Sequence, residues 1–121
     1  MNRILLVVLV FLLQACSQSV NVVLEPEVSV YNSRDSQREL ILTASEVPYI
    51  ELQNWLDSHK EGWHSTSGRY ADGIYVASGE WGVQIIDAHV VLYTSTKAKP
   101  NAIYIQKLEK GKLSALQNFS R

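Results

Sequence analysis

A chain of 121 residues is long enough for one folded domain with one core and too short for two. Eleven basic against twelve acidic side chains leave a net charge of −1, which gives no electrostatic footprint for nucleic acid. The single cysteine, Cys16, excludes a disulfide within one chain, so the fold must stand on its apolar core.

The chain begins with Arg3, an unbroken apolar run over residues 4–13, then Leu13-Gln14-Ala15-Cys16. A bacterial export signal combines a positive start, an apolar stretch of about 7–15 residues and a small residue before the cut. The run is too short to span a bilayer, which takes roughly 20 residues. Residues 1–15 are therefore expected to be a cleaved signal, leaving 106 of the 121 residues. Leu13 at −3, Ala15 at −1 and Cys16 at +1 resemble the lipobox of bacterial lipoproteins. That resemblance implies cleavage by signal peptidase II, a diacylglycerol on the Cys16 thiol and acylation of the new amine. Ser17 at +2 is not the aspartate that retains such proteins in the inner membrane, so an outer-membrane anchor is implied. Acylation would also consume a thiol left unpaired in an oxidising compartment. Two or more chains, at roughly 0.8 kcal/mol per buried methylene, anchor a domain facing the periplasm without a span.

Residues 16–20 read as a lipidated tether and residues 21–121 as one small domain. Residues 20–31 are rich in β-branched side chains and predict a strand interrupted or ended by Glu25-Pro26-Glu27. A polar turn over residues 32–36 leads to a second strand over residues 38–43, hairpin-paired to the first. Ser45-Glu46-Val47-Pro48 predicts a helix start with a hydroxyl cap. At 100° per residue Tyr49, Leu52, Trp55, Leu56 and His59 share one arc, giving an amphipathic helix over about residues 46–61 with Gly62 as its left-handed stop. Strands then follow at residues 74–78, 83–86, 89–94 and 102–108, with turns at 79–82, 87–88 and 97–101. Leu113, Leu116 and Phe119 suggest a short terminal helix. The expected fold class is α+β: an N-terminal strand pair and one amphipathic helix packed on an antiparallel sheet of three to four strands.

Charge is unevenly placed. Residues 25–87 carry eleven acidic and four basic side chains, whereas Lys97, Lys99, Lys107, Lys110, Lys112 and Arg121 face only Glu109 in the last stretch. That basic segment either solvates its strands or meets an acidic partner or anionic lipid.

Residues 65–76 read Ser-Thr-Ser-Gly-Arg-Tyr-Ala-Asp-Gly-Ile-Tyr-Val. The Ser-x-Ser-Gly, Arg-Tyr and Asp-Gly elements resemble the signature of the membrane-bound inhibitors of c-type lysozyme. The resemblance implies a binding loop carrying Ser67, with Arg69 and Tyr70 following it in the signature, and a disulfide-pinned antiparallel β-barrel. Three departures stand out: one residue is missing between Gly68 and Arg69, the disulfide cysteines are absent, and Glu80, beside Trp81, occupies the place of the lysine that reaches the enzyme's carboxylates. A carboxylate there repels where an ammonium attracts. Trp63, Tyr70, Tyr75 and Trp81 cluster in the same region; Trp63 and Tyr75 suit a core, and Trp81 between two glycine-bearing turn positions suits exposure.

His64, Ser67 and Asp72 supply triad residue types without a nucleophile elbow, and His59 and His64 lack the i, i+4 spacing of a zinc pair. No catalytic residue, metal or cofactor is expected. The sequence thus points to a non-enzymatic, outer-membrane-anchored binding domain, an inhibitor or immunity protein among the options, with Ser67, Arg69, Tyr70, Glu80 and Trp81 as contact residues. The other readings are a structural or assembly accessory of the envelope and, last, an envelope hydrolase. Oligomeric state is left open.

Overall fold

The computed structural model describes residues 17–32, 35–67, 70–94 and 101–119; Cys16, the signal segment, Arg69, Lys97, Lys99 and Arg121 lie outside them. In chain order the elements are β1 (Glu27–Asn32), β2 (Asp35–Thr43), α1 (Val47–Ser58), β3 (His64–Ser65), β4 (Ile74–Ser78), β5 (Trp81–Ile86), β6 (His89–Thr94), β7 (Asn101–Lys107) and α2 (Ser114–Phe119). All the strands join one antiparallel sheet in the order β2-β1-β4-β5-β6-β7-β3.

The fold is therefore more β-rich than three to four strands with one helix. The N-terminal hairpin is not a separate pair, because β1 zips onto β4 through Val30 opposite Val76 and Tyr31 opposite Tyr75. A second helix, α2, ends the described chain where the Leu113, Leu116 and Phe119 spacing suggested one, and packs on α1.

Strand alternation explains the layering. Leu40, Val30, Val76, Val83, Leu92 and Tyr104 lie opposite one another on successive strands, and the central four are fully buried. This row meets Tyr49, Leu52, Trp55 and Leu56 of α1 and Leu116 of α2 in one core. The α1 stripe read from the sequence is thus the buried one, and Ile50, which breaks the pattern, is 45% exposed.

The ends of α1 differ from expectation. The N-cap is Glu46 rather than Ser45, with no side-chain cap bond; Pro48 occupies the first turn. The helix stops at Ser58, three residues early. There the Ser58 hydroxyl donates to the carbonyls of Asn54 and Trp55, and the His59 ring stacks on the Trp55 indole at 4.1 Å. His59 leaves helical geometry at φ −126°, so Gly62, at φ +83°, bends the connection toward Trp63 instead of closing the helix.

Residues 17–26 form no strand with the sheet. They run as an extended strap whose side chains alternate: Val20, Val22 and Leu24 are buried while Val23 is 70% exposed. Side chains replace the ladder as backbone partners. Gln53 accepts from Leu24 N–H (2.8 Å) and donates to the Val22 carbonyl (3.1 Å). The Tyr49 hydroxyl donates to the carbonyls of Leu24 (3.1 Å) and Glu25 (2.7 Å), and Ser78 Oγ accepts from Glu25 N–H (2.7 Å). The predicted strand over residues 20–31 is thus real only from Glu27 onward; before it the extended chain is held by α1.

Candidate functional site

Each strand's other set of side chains faces away from the helices. Read across the sheet, one outer row is Glu39, Tyr31, Tyr75, Gln84, Val91 and Ile105; the next is Ile41, Ser29, Ala77, Gly82, Tyr93 and Ala102. Two rows of an antiparallel sheet thus bring three tyrosines, a glutamine and a carboxylate together from strands distant in sequence.

The β5-β6-β7 half of this face is covered. Val91, Tyr93 and Ala102 are buried in a second apolar cluster with Tyr70, Tyr75, Ile86 and Ile105 against it. The cover is the loop between β3 and β4, and Gln84 fastens it. Gln84 Nε2 donates to the carbonyls of Tyr70 (2.9 Å) and Asp72 (2.7 Å), while Gln84 Oε1 accepts from the Tyr93 hydroxyl. The Tyr93 oxygen in turn accepts from Tyr70 N–H at 3.2 Å, closing a ring of bonds. Tyr70 and Thr66 join their hydroxyls at 2.5 Å, and Thr66 N–H donates to the Ile103 carbonyl at 3.1 Å. Gln84 is 6% exposed, and both amide hydrogens and its oxygen are satisfied, as burial of an amide requires.

The β2-β1-β4 half is open. Tyr31, Ser29, Tyr75 and Ala77 are half-exposed and Ile41 is 46% exposed. Tyr75 meets Tyr93 edge-on with ring centroids 5.8 Å apart. Its ring lies across Gly82, where a Cβ would stand 2.0 Å from the Tyr75 hydroxyl oxygen, so only glycine allows this pose. Burial, then the neighbouring Tyr93 and Tyr31, push the Tyr75 hydroxyl above its usual pKa. Ser29 Oγ donates to Glu39 Oε1 at 2.5 Å on the rim.

The sequence-derived contact residues fall in two places. Ser67 is exposed on the covering loop and Tyr70 is bonded into the Gln84 ring, whereas Glu80 and Trp81 sit at the far end of the β4–β5 hairpin. Four strand steps separate the ends, about 13 Å. Glu80 is exposed there, but Trp81 is not the exposed turn tip that its flanking glycines suggested. It opens β5 opposite Ser78 and packs half-buried against the inner core. Trp63 is 1% exposed, edge-on to Trp55 at 6.0 Å. Tyr75, expected in the main core, belongs to the outer face. Tyr31, Gln84 and Tyr93 carried no local motif; their one sequence signal is a polar or aromatic side chain alternating with buried aliphatics.

A concavity of about 340 Å³ lies between α1 and the turn before α2, lined by Glu51, Trp55, His59 and Lys112 among others. Its polar groups are largely engaged: Glu51 accepts from Ala115 N–H, and His59 Nδ1 lies 2.8 Å from the Trp55 carbonyl. The Trp55 indole N–H has no partner among the described residues, yet it is too enclosed to meet a ligand there. Among the described residues, no cluster of three His, Cys, Asp or Glu could hold a metal ion, and no helix is long and apolar enough to cross a membrane. Comparison with protein-family models, with curated proteins and with solved structures finds no match to this chain.

Proposed function

We propose that this protein is an outer-membrane-anchored lipoprotein, acylated at Cys16, whose domain binds another envelope protein through the open half of the sheet's outer face. The observation that carries the binding reading is the half-exposed pair Tyr31 and Tyr75 in one cross-strand row, bordered by Ile41 and Ser29. Tyrosines held rigid by a sheet offer large contact area at low entropic cost, and such residues dominate protein–protein hot spots. Beside them Gln84 fastens the chain at the Tyr70 and Asp72 carbonyls, and Ser67 is exposed. The anchor rests on the lipobox sequence.

An inhibitor or immunity protein needs such a preformed, rigid face and no chemistry of its own. The polar groups at this site close on one another rather than converging on a reacting centre, which favours binding over hydrolysis. An assembly role finds its support in Lys107, Lys110 and Lys112, all exposed near the C-terminal end. Photo-crosslinking from positions 31 and 75 in intact cells tests the reading. A discrete adduct with one envelope protein supports it, and absence of any adduct from either position contradicts it.

A further inference from the structure

We infer that the Gln18–Trp63 corner of the domain rests in the phospholipid headgroup layer, so that the protein works as a membrane-apposed platform rather than a domain on a lead. The inference rests on the acylation of Cys16 proposed above and adds to it the place where the folded chain begins. Gln18 N–H donates to the Trp63 carbonyl at 2.7 Å and Trp63 N–H returns a bond to the Gln18 carbonyl at 3.2 Å. The Gln18 side chain accepts from the Tyr104 hydroxyl at 2.9 Å, and Val20 N–H donates to the Lys60 carbonyl at 2.6 Å. Val20 and Val22 beyond it are buried. The stretch expected to be a free tether is thus bonded to the domain from its third residue.

Covalent geometry then limits the height of this corner. The Cα atoms of Cys16 and Gln18 can stand at most about 7 Å apart. The glycerol on the Cys16 sulfur belongs at the boundary between acyl chains and headgroups, and one leaflet's headgroup layer is about 5–8 Å deep. With the short thioether link to the glycerol added, the span is comparable to that layer's depth, so the corner stays within the layer or at its outer edge. The residues carried down with Gln18 are exposed Lys60 and Ser65, the latter in β3, the edge strand of the sheet.

The same geometry positions the proposed binding face. From β3, strands β4 and β1 are four and five neighbours away, about 19 and 24 Å along the sheet at strand spacing. Tyr75 and Tyr31 are therefore presented within a domain's width of the bilayer. The partner they meet is thus engaged close to the membrane surface.

The test uses the full acylated protein in vesicles of phosphatidylethanolamine and phosphatidylglycerol that contain a headgroup-level quencher. A fluorophore is placed on Ser65→Cys, on Lys60→Cys, or on Glu80→Cys as the distal control. Strong quenching at 60 and 65 with little at 80 is expected. It should be lost when about 12 Gly/Ser residues, adding about 19 Å of r.m.s. reach, are inserted between Ser17 and Gln18. Equal quenching at all three positions, or quenching unchanged by the insertion, would overturn the apposition. Mass spectrometry of the same sample separates the two layers of the proposal: Cys16 without acyl chains overturns the anchor and the apposition with it, whereas acylated Cys16 with equal quenching overturns the apposition alone.

Discussion

On the inner face of the sheet the row Leu40, Val30, Val76, Val83 and Leu92 is aliphatic throughout and sealed by α1, α2 and the strap. One residue further along each strand, the outer row reads Glu39, Tyr31, Tyr75, Gln84 and Val91, and no helix among the described residues packs on it. The two rows share backbones and register, so the contrast lies in side-chain chemistry alone. Aliphatic closure is non-directional and stabilises in proportion to area removed from water. Hydrogen-bonded tyrosine and glutamine fix positions while leaving half of the face wet. The inner face holds the fold; the outer face is shaped but not closed.

The largest effect should come from breaking the inner side where strap, helix and sheet meet. Trp63→Ala removes a 1% exposed indole and the support beneath the Gln18 bridge, and should cost about 3–5 kcal/mol in urea unfolding. A loss below about 1 kcal/mol would mean that the strap and Trp63 are not part of the core.

An intermediate effect is expected on the covered half of the outer face. Gln84→Leu keeps the volume but removes the acceptor of the Tyr93 hydroxyl proton and the donors to the carbonyls of Tyr70 and Asp72, costing about 1–3 kcal/mol. Amide exchange should rise across residues 66–73 and stay unchanged in α1. Uniform acceleration in both regions would contradict a local fastening by Gln84.

The smallest effect belongs to the open half. Tyr75→Phe should leave stability near neutral pH almost unchanged. The folded Tyr75 hydroxyl titrates above its unfolded value near 10, so the folded state holds the proton more tightly. Its contribution is complete below about pH 10 and lost as pH rises through the folded value. The variant should therefore unfold less steeply in alkali, although Tyr49, raised by burial and by Glu25, keeps a residual slope. An unchanged alkaline slope would show that Tyr75 is solvated like an unfolded tyrosine.

These contrasts also explain what could be read from the sequence. Residues 74–78 are a strand as the alternation demanded, and the α1 stripe is buried as its period demanded, because both signals are local. Joining the N-terminal hairpin to β4 is a long-range pairing that no local pattern encodes. The strap escaped for the same reason: its partners Gln53, Tyr49 and Ser78 lie 24 to 53 residues away. Trp81 misled because a tryptophan between glycines resembles a loop tip, yet the two-residue turn leaves it on the strand, facing inward. Tyr31 and Tyr75 become neighbours only once the β1–β4 register is known.

Photo-reactive residues placed in turn at Tyr31, Tyr75, Val47 and Ile50 of the full-length protein in intact cells test the difference between the faces most directly. Val47 and Ile50 are exposed and apolar but lie on α1, so they control for hydrophobic stickiness. Adducts to one envelope protein from 31 and 75, with none from 47 and 50, are the predicted result. Adducts from the α1 positions alone would place the partner on the helical side and contradict the account.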